Sequence, residues 1–318
     1  MSLKSDILKE LEQNRGKRVS GQELSERFGV SRNAVWKSVN TLKKEGHQIT
    51  SSTKLGYSLS RESDVITAES IRAALPPERR DTEIIILRET SSTNNEAKRL
   101  IAEGISGYTL VVAEKQTAGK GRLGRSFYSP EGNIYMSLAF RTDAEIADAV
   151  KLTTAASVAV VRAAEALTEA KPLIKWVNDV YLDGKKICGI LTEGVTDMES
   201  GRVRHIVIGI GLNCGTGEFP EELREVAGTL PRGGVSRSLL IARIAAELMD
   251  CIEERTDFME DYRSKSLVLG KKINYFKNGV ATPATAIAID DSGGLIVRHE
   301  DGAEVCLNTG EISVRTRE

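Results

Sequence analysis

No apolar run in this sequence approaches the roughly 18 residues of a membrane span, and Met1 to Gln13 lack the apolar centre of a signal peptide. No membrane partner is therefore expected, and a cytoplasmic protein is. Cysteine is scarce: Cys188, Cys214, Cys251 and Cys306 are scattered, with no Cys-x-x-Cys pair. That argues against a disulfide framework and against a zinc site, and leaves small buried hydrophobes as their expected role. Familiar nucleotide motifs are missing too. Gly209-Ile210-Gly211 is a lone Gly-x-Gly, and neither the full dinucleotide fingerprint nor a P-loop occurs.

What is present is ordinary in bulk. A chain of 318 residues, 40% hydrophobic and 28% charged, is long enough for two to three domains and a sizeable core. Its charge is uneven. Residues 1–60 hold 11 Lys and Arg against 6 Asp and Glu, a net of +5; the whole chain is −1, so the remainder carries −6. A basic head on a mildly acidic body suggests that the head meets a polyanion.

The head's pattern agrees. Leu3 to Leu11 reads as a helix with Ile7, Leu8 and Leu11 on one face, and Ser20 to Glu23 has capping-box spacing before a short helix that ends at Phe28-Gly29. Ser31 can then cap a helix running to about Glu45, with Val35, Val39 and Leu42 inward. Arg32, Asn33, Lys37 and Asn40 are left on its outer face, where Arg and Asn can read base edges and Lys can meet phosphate. Alternating residues from Gln48 to Ser60, around Lys54-Leu55-Gly56, make a hairpin wing. These parts form a winged helix-turn-helix over 1–62, with Lys54 at the wing; a small helical packing module is the bland alternative. A single such head holds DNA weakly, so a dimer on a two-fold site is expected.

In the body, Arg61 to Val65 reads as a linker, Thr67 to Leu75 as a helix and Glu83 to Leu87 as a strand. Ser91-Ser92-Thr93-Asn94 opens a helix that ends near Gly104, its small polar residues serving as caps or facing a ligand. Strand-like runs from Tyr108 to Ala113 and from Asn133 to Phe140 flank Gln116-Thr117-Ala118-Gly119-Lys120-Gly121-Arg122-Leu123-Gly124-Arg125. Alternating glycines and cations suit a loop that closes over a phosphate or carboxylate, or else a solvated basic hairpin. A long apolar helix from about Ala144 to Ala170 precedes two strands joined at Asp183-Gly184, a hairpin signal. Lys175, Asn178, Asp179 and Lys186 fall on neighbouring strands, close enough to line one site. Lys186, embedded in an apolar strand, is either functional or an edge lysine shielding the sheet.

Ser92-Thr93-Asn94, the Gly119 to Arg125 loop, Lys175-Trp176-Val177-Asn178-Asp179, Lys186-Ile187-Cys188-Gly189-Ile190-Leu191 and Gly209-Ile210-Gly211-Leu212-Asn213 occur in the order and spacing of biotin–protein ligases. With its winged head, the chain resembles the family of bifunctional biotin ligases and biotin-operon repressors along essentially its whole length. Lys120 replaces the family's first loop arginine, and Val177 its proline.

The resemblance implies an enzyme that joins biotin to the α-phosphate of ATP, releases pyrophosphate, and passes biotin to a lysine of a biotin carboxyl carrier protein. It implies that Ser92, Thr93, Asn94 and Gln116 hold the biotin head group and that Lys120, Gly121 and Arg122 cover it. Arg122 and Arg125 would neutralise phosphate, and Lys186 would bridge the biotin carboxylate and the α-phosphate. Phe127 would stack on adenine, Asn178 and Asn213 would line the nucleotide side, and Asp179 would orient or deprotonate the incoming lysine. Mg²⁺ is expected with ATP, held mainly by phosphates, with no protein metal ligands. Biotinyl-5′-AMP would order the glycine loop, favour a homodimer and bring two heads to operator DNA.

Helices from Ser236 to about Glu254 and from Asp257 to Lys265 are followed, from Gly270 to Val314, by short strands punctuated at Asn278-Gly279, Ser292-Gly293-Gly294 and Asp301-Gly302. They read as a small antiparallel barrel. The resemblance extends to Gly310 through Arg315 and implies an SH3-like domain that packs near the active site. The expected fold is thus α/β (α+β): the winged head, a mixed-sheet catalytic domain of the biotin/lipoate ligase type over 63–265, and the C-terminal barrel over 266–318. Two other functions fit parts of the pattern: a lipoate ligase, and a transcription factor that senses a ligand without chemistry.

Overall fold

The structure, a computed structural model, describes residues 2–52, 54–142, 149–196, 202–215, 219–277, 280–308 and 315–316. The head begins with α1 (Leu3–Gln13), α2 (Gly21–Phe28) and α3 (Arg32–Lys44). The Ser20 and Ser31 hydroxyls accept from the backbone N–H groups of Gln22 and Ala34, so α2 and α3 begin at the capping serines. Gly29 ends α2 at φ 63°, a left-handed value that glycine adopts without strain and that turns the chain directly into α3. Strands β1 (Ile49–Ser52) and β2 (Gly56–Leu59) pair antiparallel as the wing. Ile7, Leu11, Leu24, Val35, Val39, Leu42 and Leu59 form a core that belongs to the head alone.

The expected linker is pinned at both ends. Arg15 Nη1 donates to the Ser63 carbonyl at 2.7 Å, and Asp64 Oδ2 accepts from Arg237 Nε at 2.9 Å. A short polar stretch can still be fixed when ionic side chains reach it from both neighbours. Beyond it stands α4 (Ala68–Ala74), capped by Thr67.

The body is a seven-stranded sheet of β3 (Glu83–Thr90), β4 (Thr109–Gln116), β5 (Ile134–Arg141), β6 (Leu173–Lys175), β7 (Asp179–Leu182), β8 (Lys185–Thr196) and β9 (Val203–Leu212). Its spatial order is β3-β4-β5-β9-β8-β7-β6; β3 and β4 run parallel and every other pair antiparallel. On one face α5 (Thr93–Glu103) buries Ala97 and Ile101 against Val111, Ala139 and Val207. The other face carries α6 (Ala149–Leu167) and α7 (Arg237–Ile252), in one large core that also contains Ile174, Ile190 and Ile208. Buried Ala155, Ala156, Ala159 and Ala163 make α6 slim, so it lies close to both α7 and the sheet. The expected helix from Ala144 is shorter at its end, Leu167, and residues 143–148 lie outside the described part. Asp183 and Gly184 take φ 50° and 77° in the two-residue β7–β8 turn, the signs that a primed hairpin turn requires.

After α8 (Met259–Ser264) come β10 (Lys272–Lys277), β11 (Val280–Ile289), β12 (Leu295–Arg298), β13 (Glu304–Leu307) and β14 (Arg315–Thr316). They form an antiparallel sheet in the order β13-β12-β11-β10-β14. Val268, Ile273, Leu295 and Val297 belong to the same buried cluster as α6 and α7, so this module shares the body's core. The expected Asn278-Gly279 turn and the stretch 310–314 lie outside the described residues. Among the described residues, no helix is long and apolar enough to cross a membrane.

Candidate active site

One cleft gathers side chains from five separate stretches of sequence. Ser92, Thr93 and Asn94 lie at its side from the start of α5, Gln116 from the end of β4, and Lys120, Gly121, Arg122 and Phe127 from the loop after it. Asn178 enters from the β6–β7 turn, Lys186 and Gly189–Leu191 from β8, and Gly209–Gly211 from β9. The cavity between them is small, about 60 Å³, and opens on one side to solvent.

At the α5 end the polar groups are held rigidly. Gln116 Oε1 accepts from the Thr93 backbone N–H at 2.8 Å, so a side chain from β4 satisfies the first N–H of the helix. Ser92 occupies the N-cap position but makes no cap bond with its side chain, which leaves its hydroxyl at the cleft. Ser137 Oγ lies 2.7 Å from Thr93 Oγ1 and 2.6 Å from Asn94 Oδ1, and its single proton serves one of them at a time. Asn94 Nδ2 donates to Glu193 Oε2 at 2.7 Å, and Lys98 Nζ to the other oxygen of that carboxylate at 2.6 Å. Those bonds hold the Glu193 carboxyl below its usual range against the opposing pull of burial.

The floor is made by glycines. Gly189 and Gly211 face each other across β8 and β9, and the Phe127 ring lies against both. A methyl group on Gly209 would overlap the Asn94 amide. Three glycines set next to Cys188, Ile190, Ile208, Ile210 and Leu212 thus mark where other groups approach the backbone closely.

Two of the cleft's cations, Arg122 and Lys186, lie beside Asn178 and Asp179, while the third, Lys120, reaches Asn95 of α5 at 2.8 Å. The loop is closed by its own backbone bonds, Gly121 N–H to Arg125 O at 2.7 Å and Phe127 N–H to Gly119 O at 2.9 Å. Within a short 3₁₀ turn, Arg122–Gly124, Leu123 is exposed with φ 56°. A left-handed leucine is strained by about 1 kcal/mol. Arg122 points inward, and its Nη1 donates to Asn178 Oδ1 at 3.1 Å. Burial lowers the Arg122 pKa from its ordinary value, and the Asp179 carboxylate partly opposes that.

Lys186 Nζ stands 2.6 Å from Asp179 Oδ1. This contact is close but off the hydrogen-bonding axis, so that oxygen is an ion-pair partner with no hydrogen bond. Lys186 reaches the cleft because of a bulge. Strict alternation along β8 would turn it to the same face as buried Cys188 and Ile190. The β7–β8 register shifts between Val180 and Tyr181, pairing Tyr181 with Lys186 and Val180 with Cys188, and so leaves Ile187 as the extra residue. Lys186 thereby shares a face with Gly189, where an added methyl would sit 3.2 Å from its Nζ. The main chain there is clamped by Val226 O, which accepts from Lys186 N–H at 2.9 Å, and by Gly228 N–H, which donates to Lys186 O at 2.8 Å.

Comparison with known proteins identifies the family. Family models match in three places: an HTH domain over residues 4–58, the Biotin/lipoate A/B protein ligase family over 86–213, and the Biotin protein ligase C terminal domain over 269–315. The Bifunctional ligase/repressor BirA of Bacillus subtilis (strain 168) is 34% identical over 313 residues, which span 95% of each chain. The chain belongs to the bifunctional biotin ligase/repressor family. BirA of Escherichia coli (strain K12) is 30% identical over 316 residues, with 94% of each chain covered. Among solved structures, the biotin protein ligase from Aquifex aeolicus in complex with biotin and ATP matches at a TM-score of 0.60 and 29% identity. That match covers 74% of this chain and 99% of the Aquifex chain.

The residues named from sequence for the ligand site fall into two groups. Ser92, Thr93, Asn94, Gln116, Lys120, Gly121, Arg122, Phe127, Asn178 and Lys186 all line the cleft. Three do not. Asp179 stands behind Lys186 as its ion-pair partner. Arg125 is exposed on the loop, outside the lining residues. Asn213 is buried, its Nδ2 donating to Gly228 O at 3.2 Å, so it braces the segment that clamps Lys186. Lys175 also falls outside the lining: on the edge strand β6, its Nζ lies 5.3 Å over the Tyr181 ring.

The residues expected from sequence to read DNA are split by burial. Arg32, Asn33, Lys37 and the wing residue Lys54 are exposed, and Asn40 is half-buried. Trp36, exposed on the same helix, was not foreseen. Its signal was available, since a tryptophan one position outside the inward Val35, Val39 and Leu42 stripe has no core to enter.

Proposed function

We propose that the cleft joins biotin to AMP, then passes biotin to a lysine of a biotin carboxyl carrier protein, and that the head represses transcription when biotinyl-5′-AMP is bound. One observation carries this reading: Arg122 and Lys186, far apart in sequence, present their cations to the same small cleft whose other end is lined by Ser92, Thr93 and Gln116. Uncharged hydrogen-bonding groups suit the ureido head of biotin. Paired cations suit the end where a carboxylate meets a triphosphate.

In the first step a carboxylate oxygen of biotin attacks the α-phosphorus and the bond to pyrophosphate breaks. Both reactants are anions, so the barrier is largely their repulsion, and fixed cations in a partly desolvated cleft lower it. Lys186 bridges the two acids and Arg122 neutralises phosphate, while Lys120 and Gly121 cover the biotin. Phe127 offers an aromatic face to adenine, and Arg125 and Asn178 assist on the nucleotide side. In the second step the carrier amine attacks the biotin carbonyl carbon, AMP leaves, and the amine loses a proton. Asp179 orients that amine or accepts the proton.

ATP brings Mg²⁺ with it. Among the described residues no group of three or more His, Cys, Asp or Glu could hold a metal ion. In this reading the ion is carried by phosphate oxygens, and no step runs through a protein-held metal.

Repression follows if the adenylate favours a dimer, because two heads then bind a two-fold operator together; a ligand shifts that equilibrium only by its differential affinity for the dimer. Biotin-dependent ATP–pyrophosphate exchange, competed by lipoate, tests the chemistry. Exchange driven equally by lipoate, or no exchange at all, would overturn it in favour of a lipoate ligase or a sensor without chemistry. Operator mobility with biotin and ATP, compared with neither, tests the switch, and equal binding rejects it.

A further inference from the structure

The turn that carries Asn178 into the cleft and sets Asp179 beside Lys186 is held from outside the sheet. It joins β6 to β7 through Trp176 and Val177, both buried. Trp176 Nε1 donates to the Gly293 carbonyl of the β11–β12 turn at 2.8 Å, a tether to the C-terminal module. The Val177 carbonyl accepts from Tyr262 Oη at 3.1 Å and, less closely, from Ser157 Oγ at 3.4 Å. Tyr262 is fully buried on α8 and is not among the cleft's lining residues. Its hydroxyl is nonetheless electrically close to the cleft. Burial raises its pKa well above the ordinary value, the Asp179 carboxylate adds to that, and Arg122 opposes it. The phenol therefore stays protonated at working pH and remains a donor to Val177.

We infer that Tyr262 is a positioning residue for adenylation, fixing through the Val177 carbonyl the places of Asn178 beside Arg122 and of Asp179 beside Lys186. A phenylalanine would fill the same core with no polar group to bury, so packing alone does not call for the hydroxyl. The turn lies between two short strands, and its Val177 carbonyl is met from the helices beneath, more closely by Tyr262 of α8 than by Ser157 of α6. Displacing that carbonyl moves Asn178 directly, and misplacement of this kind is what catalytic rates feel most strongly.

The inference rests on the ligase reading: wild-type exchange tests that reading, and the ratio of variant to wild type tests this one. Tyr262→Phe is expected to lower kcat for biotin-dependent exchange by about tenfold while KM for biotin stays within about twofold and the melting temperature within a few degrees. In an Asn178→Ala background the same change is expected to add less than about twofold, because both substitutions disturb one contact. Equal losses in the two backgrounds, or near-normal kcat, would overturn the assignment. If the phenylalanine variant folds poorly, 4-aminophenylalanine at position 262 keeps a donor at the same place: kcat near wild type supports the assignment, and a loss of about tenfold with the fold intact overturns it.

Discussion

Gly211 has no side chain because the Phe127 ring occupies the place of one: a methyl added there would lie 2.6 Å from a ring carbon. Gly209, two residues earlier on the same face of β9, is tight against a different partner, the Asn94 amide. The two glycines thus support opposite ends of the cleft. Gly211→Ala must push Phe127 outward and is expected to raise KM for ATP about tenfold with little change in KM for biotin. Gly209→Ala displaces Asn94 and is expected to do the reverse. Separate titrations of ATP and biotin in the exchange assay check the pair; equal effects on both substrates would remove the division of the cleft argued here.

Lys186 and Asp179 invite a second separation, between the two chemical steps. Removing the cation acts on adenylation, where charge builds up, so Lys186→Ala is expected to cut exchange by at least about a hundredfold with the fold intact. Asp179→Asn keeps the shape and removes the base. It is expected to spare exchange within about tenfold but to slow transfer to the carrier about a hundredfold, so that biotinyl-5′-AMP accumulates on the enzyme. Rapid-quench measurement of adenylate and of labelled carrier distinguishes the steps, and parallel loss in both would leave Asp179 as no more than the partner of Lys186.

Which of these relationships could be read from the sequence depended on how local their causes are. Helix starts at Ser20, Ser31, Thr67 and Ser236 and the Asp183-Gly184 hairpin follow from the residues themselves, because caps and primed turns are decided within a few positions. Lys186 was found through its unusual setting and a family motif. The reason it faces the cleft was hidden, since a bulge reverses the alternation on which such reasoning relies. Tyr262 was invisible for another reason: 85 positions separate it from the carbonyl it holds, and a single tyrosine on a short, mostly charged helix gives no sign of what it faces. Asn213 sits within a cleft motif, yet its side chain turns toward the 228 region, a long-range contact that no spacing announces.

Trp36 leads to a third test. It is 54% exposed on α3, beside Arg32, Lys37 and Asn40, in a head that buries its other large inward residues. An exposed ring on a recognition helix suits apolar contact with a thymine methyl in the major groove. Trp36→Ala is expected to weaken operator binding about tenfold while leaving the salt dependence unchanged, since no charge is lost. Lys37→Ala should instead lower the slope of log K against log salt by about one. A Trp36 variant with normal operator affinity, or with an altered slope, would contradict base contact.

His47 gives the head a pH dependence whose sign can be worked out. The ring is buried where α3 leads into β1, and neither nitrogen has a hydrogen-bond partner. Burial lowers its pKa below the ordinary 6.5; Glu12 and Glu45 resist that shift, while Arg15 and Lys4 reinforce it. Above pH 6.5 the ring is neutral whether the chain is folded or not, and nothing changes. Below it, the unfolded chain takes up a proton that the folded head refuses, so stability falls with pH until the folded pKa is reached. The slope from one such proton is at most about 1.4 kcal/mol per pH unit. His47→Leu keeps an apolar side chain in the same place and removes the titration. Amide exchange at Val39 and Leu42, compared at pH 7.5 and 5.5, should therefore show a larger loss of protection in the wild type than in the variant. An equal loss in both would mean that His47 accepts its proton in the folded head, through a partner that burial has not denied it.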